Sequence, residues 1–478
     1  MNDAARTYDV IVIGAGPVGE NLADRTQAAG LSTVIVESEL VGGECSYWAC
    51  MPSKALLRPV VARADARRLP GLSQAVGGPL DAAAVLGRRD EFTSHWKDDG
   101  QVGWLESVGV DLVRGHGRLD GAKQVAVRTP EGGTVRLTAR HAVAVCTGTS
   151  AALPKMPGIH DINAWTSREA TSAKEVPGRL VVVGGGVVAV EMATAWRALG
   201  SEVTMLVRGD GLLDRMEPFV GELVTEGLRE AGVDVRFGVN VPVVERDGAH
   251  GEVRVGLEGG GRVVADEILF ATGRAPRTGD LGLETVGLSA GDWLTVDATC
   301  RVTGVADGWL YAAGDVNHRA LLTHQGKYQG RIAGAVIAAR AKGEPVDDAP
   351  WGAHAATADE AAVPQVVFTD PEAASVGLTA AEAERLGRRT KVVDYDLAQV
   401  AGASLYADGY RGRARMVVDL DRNVLLGVTF VGAGVGELLH SGTVAVAGEV
   451  PLDRLWHAVP AYPTISEVWL RLLETLRG

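Results

Sequence analysis

Two cysteines separated by four residues stand in the segment Gly42-Gly43-Glu44-Cys45-Ser46-Tyr47-Trp48-Ala49-Cys50-Met51-Pro52-Ser53-Lys54. That spacing puts the sulfurs about one helical turn apart, close enough to join if the first turn is distorted. A helix N-terminus stabilises a thiolate, and the thiolate is the reactive form. A redox pair, a structural disulfide and a metal pair are the three readings of such spacing. Four cysteines in 478 residues do not make a disulfide framework. Placement of Cys45 and Cys50 between glycine and proline suggests chemistry. Cys146 and Cys300 are isolated and read as small packing residues.

Two glycine turns supply the frame around that segment. Gly14-Ala15-Gly16-Pro17-Val18-Gly19 follows an apolar strand over 8–13 and opens a helix over 18–29, with a second strand over 33–36. Its glycines permit a tight turn and let backbone approach a pyrophosphate at the helix N-terminus. Glu37 ends the next strand, where an acid accepts hydrogen bonds from an adenosine ribose. Gly184-Gly185-Gly186-Val187-Val188-Ala189 repeats the pattern, between a strand over 179–183 and a helix over 188–199. Alanine in its third position still allows close helix–strand packing. Arg208 follows the strand over 202–207, where a guanidinium can pair with a 2′-phosphate; NADPH is therefore favoured over NADH. Arg215 is a candidate for a second contact.

Such β-α-β units imply parallel sheets with helices on both faces. The chain is too long for one hydrophobic core. The expected class is α/β: two Rossmann-like dinucleotide-binding domains and a C-terminal α+β domain. Glycine- and proline-rich stretches at 148–158 and 273–282 read as crossings between the first two, and 343–364 as a linker. Strands are expected over 391–395, 414–419 and 424–431, and helices over 436–448 and 465–476. The net charge of -13 argues against nucleic acid, and no basic stretch favours an anionic membrane surface. The apolar start lacks a basic flank and a cleavage site, and no apolar run is long enough to span a bilayer. A cytoplasmic location is expected.

The cysteine segment resembles the dihydrolipoamide dehydrogenase, glutathione reductase and mercuric reductase group of pyridine nucleotide–disulfide oxidoreductases. That group carries Gly-Gly-x-Cys-x4-Cys-x-Pro-[Ser/Thr]-Lys shortly after its FAD fingerprint. The resemblance implies that Cys50 lies against a flavin and passes electrons to a Cys45–Cys50 disulfide, with Cys45 the outward thiol. Lys54 should approach the flavin with Glu191 as its partner. Tyr311-Ala312-Ala313-Gly314-Asp315 matches the second FAD segment, whose aspartate binds ribityl or ribose hydroxyls. Gly14, Gly16, Gly19, Glu37, Gly43, Gly117, Thr147, Gly148 and Thr323 complete the implied FAD site. Gly184, Gly186, Ala189 and Arg208 belong to the implied nucleotide site; Ala271-Thr272-Gly273-Arg274 matches the strand closing the pyridine-nucleotide domain, with Gly273 and Arg274 as further cofactor-binding residues. Residues 364–377 look like the opening of the group's interface domain, which implies a homodimer. The implied division is 1–150 and 277–350 for FAD, 151–276 for NAD(P), and 351–478 for dimerisation.

The C-terminal segment departs from that pattern. Disulfide reductases of the group end in His-Pro-Thr-x-x-x-Glu, whose histidine is the acid–base across the dimer. Here the segment reads Tyr462-Pro463-Thr464-Ile465-Ser466-Glu467. An unperturbed phenol, with a pKa of about 10, is a poor base for a thiol at neutral pH, though still a hydrogen-bond donor. His457 and His440 read as surface or interface residues. Tyrosine before Pro-Thr, together with Trp48, also resembles the soluble pyridine nucleotide transhydrogenases, which lack one cysteine of the pair. The end Glu474-Thr475-Leu476-Arg477-Gly478 carries no cysteine, so a mercury or thioredoxin-type relay is not expected. The leading expectation is an FAD-dependent, NADPH- or NADH-linked oxidoreductase acting on a small disulfide, dithiol or quinone-like acceptor. Cys45, Cys50, Lys54, Glu191, Tyr462 and Glu467 are its candidate catalytic groups. The alternative is a transhydrogenase or diaphorase, and no metal site is expected.

Overall fold

The computed structural model describes residues 6–248 and 251–478. The chain divides into two compact units, one formed by 1–51, 90–151 and 274–360, the other by 52–89, 152–273 and 361–478.

The first unit is built on a seven-stranded sheet. Arg6–Ile13 is its central parallel strand, flanked by Thr33–Glu37 on one side and Thr134–Val145 on the other. Val10, Ile11 and Val12 are fully buried, as a central strand covered on both faces requires of a continuous apolar run. Asp111–Arg114 extends the sheet beyond Thr33–Glu37, and Leu310–Ala312 pairs with Thr134–Val145. Gln124–Arg128 and His116–Leu119 add antiparallel strands at the other edge. The helix Pro17–Ala28 packs along Thr323–Lys342. Their approach is close: a Cβ on Gly330 would stand 2.7 Å from the Val18 carbonyl oxygen, and one on Gly326 2.6 Å from a Val18 methyl.

The second unit holds a parallel sheet in the order Asp234–Phe237, Glu202–Val207, Arg179–Val183, Glu267–Phe270. The helix Val187–Leu199 covers it, with Trp196 fully buried. A five-stranded antiparallel sheet follows, in the order Pro364–Val367, Glu372–Gly377, Val424–Gly432, Arg413–Asp419, Thr390–Asp396, and the helix Val435–Ala447 packs on it. Both glycine-turn units and the late strands therefore stand where the periodicity puts them. Two regions differ. The stretch expected as a linker includes the helical turn Ala358–Ala361, with Asp359 buried. The helix expected over 465–476 begins as a tighter turn, Ile465–Glu467, and continues as Val468–Arg477.

Candidate functional site

Within the first unit the sheet's glycine turn opens onto a cavity of about 380 Å³. Gly14 must be glycine: its φ is +102°, and a Cβ would stand 2.5 Å from the Cys146 carbonyl oxygen. Gly19 lets its helix close on the turn, since a Cβ there would lie 1.9 Å from the Gly14 oxygen. Gly16 meets nothing within 4 Å, so its backbone is open for close approach. It caps the helix Pro17–Ala28 without a side-chain bond, which leaves the first N–H groups available to an anion.

Glu37 lines the same cavity. Its carboxylate accepts the Ala15 N–H at 2.7 Å and the Glu39 N–H at 2.8 Å. Burial raises its pKa against the opposing pull of those backbone donors. Asp315 lies at the far end of a short relay: the Arg274 guanidinium donates to Thr149 Oγ1 at 2.5 Å, and that hydroxyl donates to Asp315 at 2.8 Å. Burial raises the Asp315 pKa too, and Arg274, 3.8 Å away, works against it. Arg274 thus lines this first cavity, where Arg274–Pro276 pairs with Thr149–Ala151. Thr149 carried no signal in the sequence beyond its place after Thr147-Gly148.

Gly43, Gly117, Gly148 and Thr323 line the cavity as well. Thr147 does so with its Oγ1 buried and without a hydrogen-bond partner among the described residues. A buried polar atom left in that state calls for a partner. Gly314 is pinned at φ +82° against Val18, and the Gln329 side-chain oxygen accepts its N–H at 2.7 Å. An open glycine turn, paired buried acids and an orphaned hydroxyl fit a dinucleotide with hydroxyl-rich linkers, as FAD is.

Cys45 lines this cavity, and Cys50 touches Thr323, which lines it too. Cys45 lies in the short helix Gly43–Tyr47, and Cys50 begins the helix Cys50–Arg67. The break at Trp48 is the distortion that the spacing requires. Both are described as thiols within hydrogen-bonding reach of one another. Cys50 Sγ lies 3.1 Å from Thr323 Oγ1, at the start of the helix Thr323–Lys342. The Cys45 thiol is pushed well up, first by its bond to Cys50 and then by burial, while Thr323 and Lys327 oppose the rise. Tyr47 anchors the loop: it is buried and its hydroxyl donates to Gln101 at 3.0 Å. Glu44 is held by Arg277 at 2.7 Å. Cys146 and Cys300 are buried among apolar neighbours, and burial raises the Cys146 thiol to about 12.

In the second unit Lys54 and Glu191 form an ion pair at 2.8 Å, with the Glu191 side chain 4 % exposed. The other Glu191 oxygen accepts the Phe368 N–H at 3.1 Å, and the Phe368 ring lies 5.0 Å from the Lys54 ammonium. Phe368 gave no sign of this in the sequence, where it reads only as part of the interface-domain opening at 364–377. Gly184 repeats the geometry of Gly14, with φ +133° and a Cβ that would meet the Ala271 oxygen at 2.4 Å. Gly186, like Gly16, is open. Ala189 is fully buried in the third position. Gly273 has φ +144°, and its carbonyl accepts the Ala152 N–H. Arg208 and Arg215 are exposed and make no hydrogen bond or ion pair among the described residues.

Tyr462 and Glu467 are not brought together. Tyr462 is 75 % exposed, whereas Glu467 is buried and paired with Arg471 at 2.5 Å. The second Glu467 oxygen has no partner among the described residues. The Tyr-Pro-Thr segment rests on Gly402, where a Cβ would stand 2.0 Å from the Thr464 carbonyl carbon. His457 and His440 are exposed. Among the described residues no cluster of His, Cys, Asp or Glu could hold a metal ion, and no helix is long and apolar enough to cross a membrane.

Comparison with known proteins gives two family matches: pyridine nucleotide-disulphide oxidoreductase over residues 8–341, and the dimerisation domain of the same family over 363–472. The chain is 32 % identical over 477 residues to a dihydrolipoyl dehydrogenase of Thermus scotoductus, covering 98 % of each chain. It is 30 % identical over 463 residues to a mercuric reductase of Staphylococcus aureus, covering 96 % of this chain and 81 % of that one. Among solved structures, LpdA from Mycobacterium tuberculosis matches with a TM-score of 0.83 at 25 % identity, over 99 % of this chain and 100 % of that one. The HOCl-induced flavoprotein disulfide reductase RclA from Escherichia coli shares the fold, with a TM-score of 0.82 at 24 % identity over 99 % of both chains.

Proposed function

The chain belongs to the pyridine nucleotide-disulphide oxidoreductase family, and on that premise we propose that it reduces a small disulfide with electrons from NADPH through Cys45 and Cys50. The family is FAD-dependent and draws on NAD(P)H, and the matched dimerisation domain indicates a homodimer. The observation that carries the proposal is the cysteine pair itself, two thiols in mutual reach, with Cys45 lining the glycine-turn cavity and Cys50 against Thr323.

Gly14, Gly16, Gly19, Glu37, Gly43, Gly117, Thr147, Gly148, Gly314, Asp315 and Thr323 would hold FAD. When bound there, FAD supplies a two-electron carrier between NAD(P)H and the cysteine pair. The protein's own part is thiol exchange. The Cys45 thiolate attacks one sulfur of the acceptor disulfide, forming a mixed disulfide and releasing the first product thiolate. Cys50 then attacks the Cys45 sulfur, closes the Cys45–Cys50 bond and releases the second. Two electrons leave the pair as the acceptor's S–S bond breaks, and each departing thiolate takes up one proton. Thr323, beside Cys50, orients that thiol during closure. Lys54, fixed by Glu191, is assigned the tuning of the flavin ring. Arg208, exposed and unpaired, is the proposed contact to a 2′-phosphate, within a nucleotide site of Gly184, Gly186, Ala189 and Gly273. Tyr462 of a second copy shapes the acceptor's site and donates a hydrogen bond, with Glu467 buried behind its segment.

Anaerobic reduction of the FAD-loaded protein by NADPH tests this, with thiols counted before and after. Two new thiols per chain are expected, and Cys45→Ser should abolish disulfide reduction, by about 10³-fold or more. Full NADPH-to-acceptor turnover in Cys45→Ser would instead mean hydride passes directly to the acceptor.

A further inference from the structure

Asp315 is the acid assigned to a hydroxyl of FAD, yet among the described residues no member of its own segment donates to its carboxylate. What orients it comes from elsewhere in the first unit. Thr149–Ala151 and Arg274–Pro276 form a short antiparallel pair. This brings Arg274 onto Thr149 across 125 positions of chain. The guanidinium grips that residue twice: Nε donates to the Thr149 hydroxyl at 2.5 Å, and Nη2 to its carbonyl oxygen at 2.9 Å.

A guanidinium has donors and no acceptor. The Thr149 proton therefore cannot point back at Arg274, and it goes to Asp315 Oδ2, 2.8 Å away. Thr149 is buried, which leaves that proton no bulk water to turn to. The other Asp315 oxygen accepts no hydrogen bond among the described residues, and the side chain is 25 % exposed in the wall of the cavity. Charge and contact are thereby separated. Arg274 Nε lies 3.8 Å from Asp315 Oδ2, near enough to favour the carboxylate and too far for a direct hydrogen bond. Direct fork pairing would engage both carboxylate oxygens, whereas a hydroxyl in between engages one. Glu44 also acts on Asp315, against its charged form, and is itself held by Arg277 at 2.7 Å.

We propose that Thr149 is a positioning residue of the FAD site. Its hydroxyl, oriented by Arg274, fixes the Asp315 carboxylate with one oxygen bound and presents the other to a ribityl or ribose hydroxyl of the cofactor. This role rests on the cavity being the FAD site and is independent of what the cysteines reduce.

The test follows FAD release from the holoenzyme after dilution, read as the rise in flavin fluorescence with no reductant present. Thr149→Val keeps the branched shape and the strand preference and removes only the hydroxyl. Release should become about tenfold faster, as expected for loss of a hydrogen bond to a charged group. Thr149→Ser restores the hydroxyl and should release within about threefold of the parent. Because the effect passes through Asp315, Thr149→Val should add less than about threefold in an Asp315→Asn background. A threonine that merely supports the strand pair would instead show its whole effect in both backgrounds. Unchanged release in Thr149→Val, or an undiminished effect in Asp315→Asn, overturns the proposal. Where Thr149→Val loads no flavin, Thr149→Ala takes its place: release at least about threefold faster is expected, and unchanged release overturns the proposal. A parent chain that holds no FAD would overturn the reading of the cavity, and this role with it.

Discussion

The two glycine turns solve one backbone problem with different residues. In both, the first glycine has positive φ and faces the carbonyl just past the neighbouring strand, Cys146 for Gly14 and Ala271 for Gly184. In both, the middle glycine is open at a helix N-terminus without a side-chain cap. They part at the third position. Gly19 leaves no room for even one carbon, whereas Ala189 buries a methyl. They part again at the end of the following strand. Glu37 is buried and tied to the turn by its bond from Ala15, whereas Arg208 points into solvent and is tied to nothing among the described residues. The first turn is therefore locked by its own acid into one geometry. The second leaves the matching side chain without a partner among the described residues. A locked turn suits a cofactor that stays, and an open one suits a nucleotide that comes and goes.

The sharpest way to break this contrast is Gly19→Ala. The new Cβ would meet the Gly14 carbonyl oxygen at 1.9 Å, and neither a Cβ nor a backbone carbonyl can rotate out of the way. Overpacking of this kind costs about 3 kcal/mol, and the helix must move off the turn that the cofactor needs. Flavin absorbance per chain after gel filtration should fall at least about tenfold, with a lower melting temperature. Retention of full flavin would mean that the close helix approach is not what holds the first turn.

Next in size is Arg208→Glu. If the guanidinium pairs with a 2′-phosphate, removing it forfeits a charge-assisted bond of about 2 kcal/mol and adds repulsion. The ratio of kcat/KM for NADPH to that for NADH should drop by about 30-fold or more. The melting temperature should not move, because the side chain touches nothing that is described. An unchanged ratio would leave Arg208 a solvated surface residue.

What the sequence made legible follows the same division. Strand, turn and helix could be read because glycine spacing and apolar runs are local signals, and both turns stand where those signals put them. Lys54–Glu191 and Glu37 were legible because a motif fixes their offsets. Thr149, Phe368 and Gly402 were not. Each acts through a partner distant in the chain: Asp315 for Thr149, Glu191 for Phe368, Thr464 for Gly402. Arg274 shows how a motif can name a residue and leave its partner open. Its motif resembles the close of a nucleotide-binding strand, yet pairing with Thr149–Ala151 turns it onto Asp315. Tyr462 was legible as a substitution, but no pattern in one chain says what an exposed phenol meets in a dimer.

The smallest expected effect comes from Ala189→Gly, and it is the control that gives Gly19→Ala its meaning. Two terms oppose the change. Glycine in place of alanine costs a helix up to about 1 kcal/mol in backbone entropy, and less in the first turn, where this residue lies. Removing a buried methyl forfeits about 0.8 kcal/mol of burial. No backbone contact forms or breaks, so the total should be about 1 kcal/mol and the melting temperature should fall by about 2 °C. Because Gly186 and the helix N-terminus are untouched, the KM for NADPH should stay within about twofold. The two substitutions exchange the same methyl in opposite directions at matching positions. If the turns were equivalent, Gly19→Ala would gain roughly what Ala189→Gly loses. A large loss in the first and a small loss in the second would show that helix–strand spacing, not glycine content, separates the turns. A loss in Ala189→Gly as large as that in Gly19→Ala would remove the distinction.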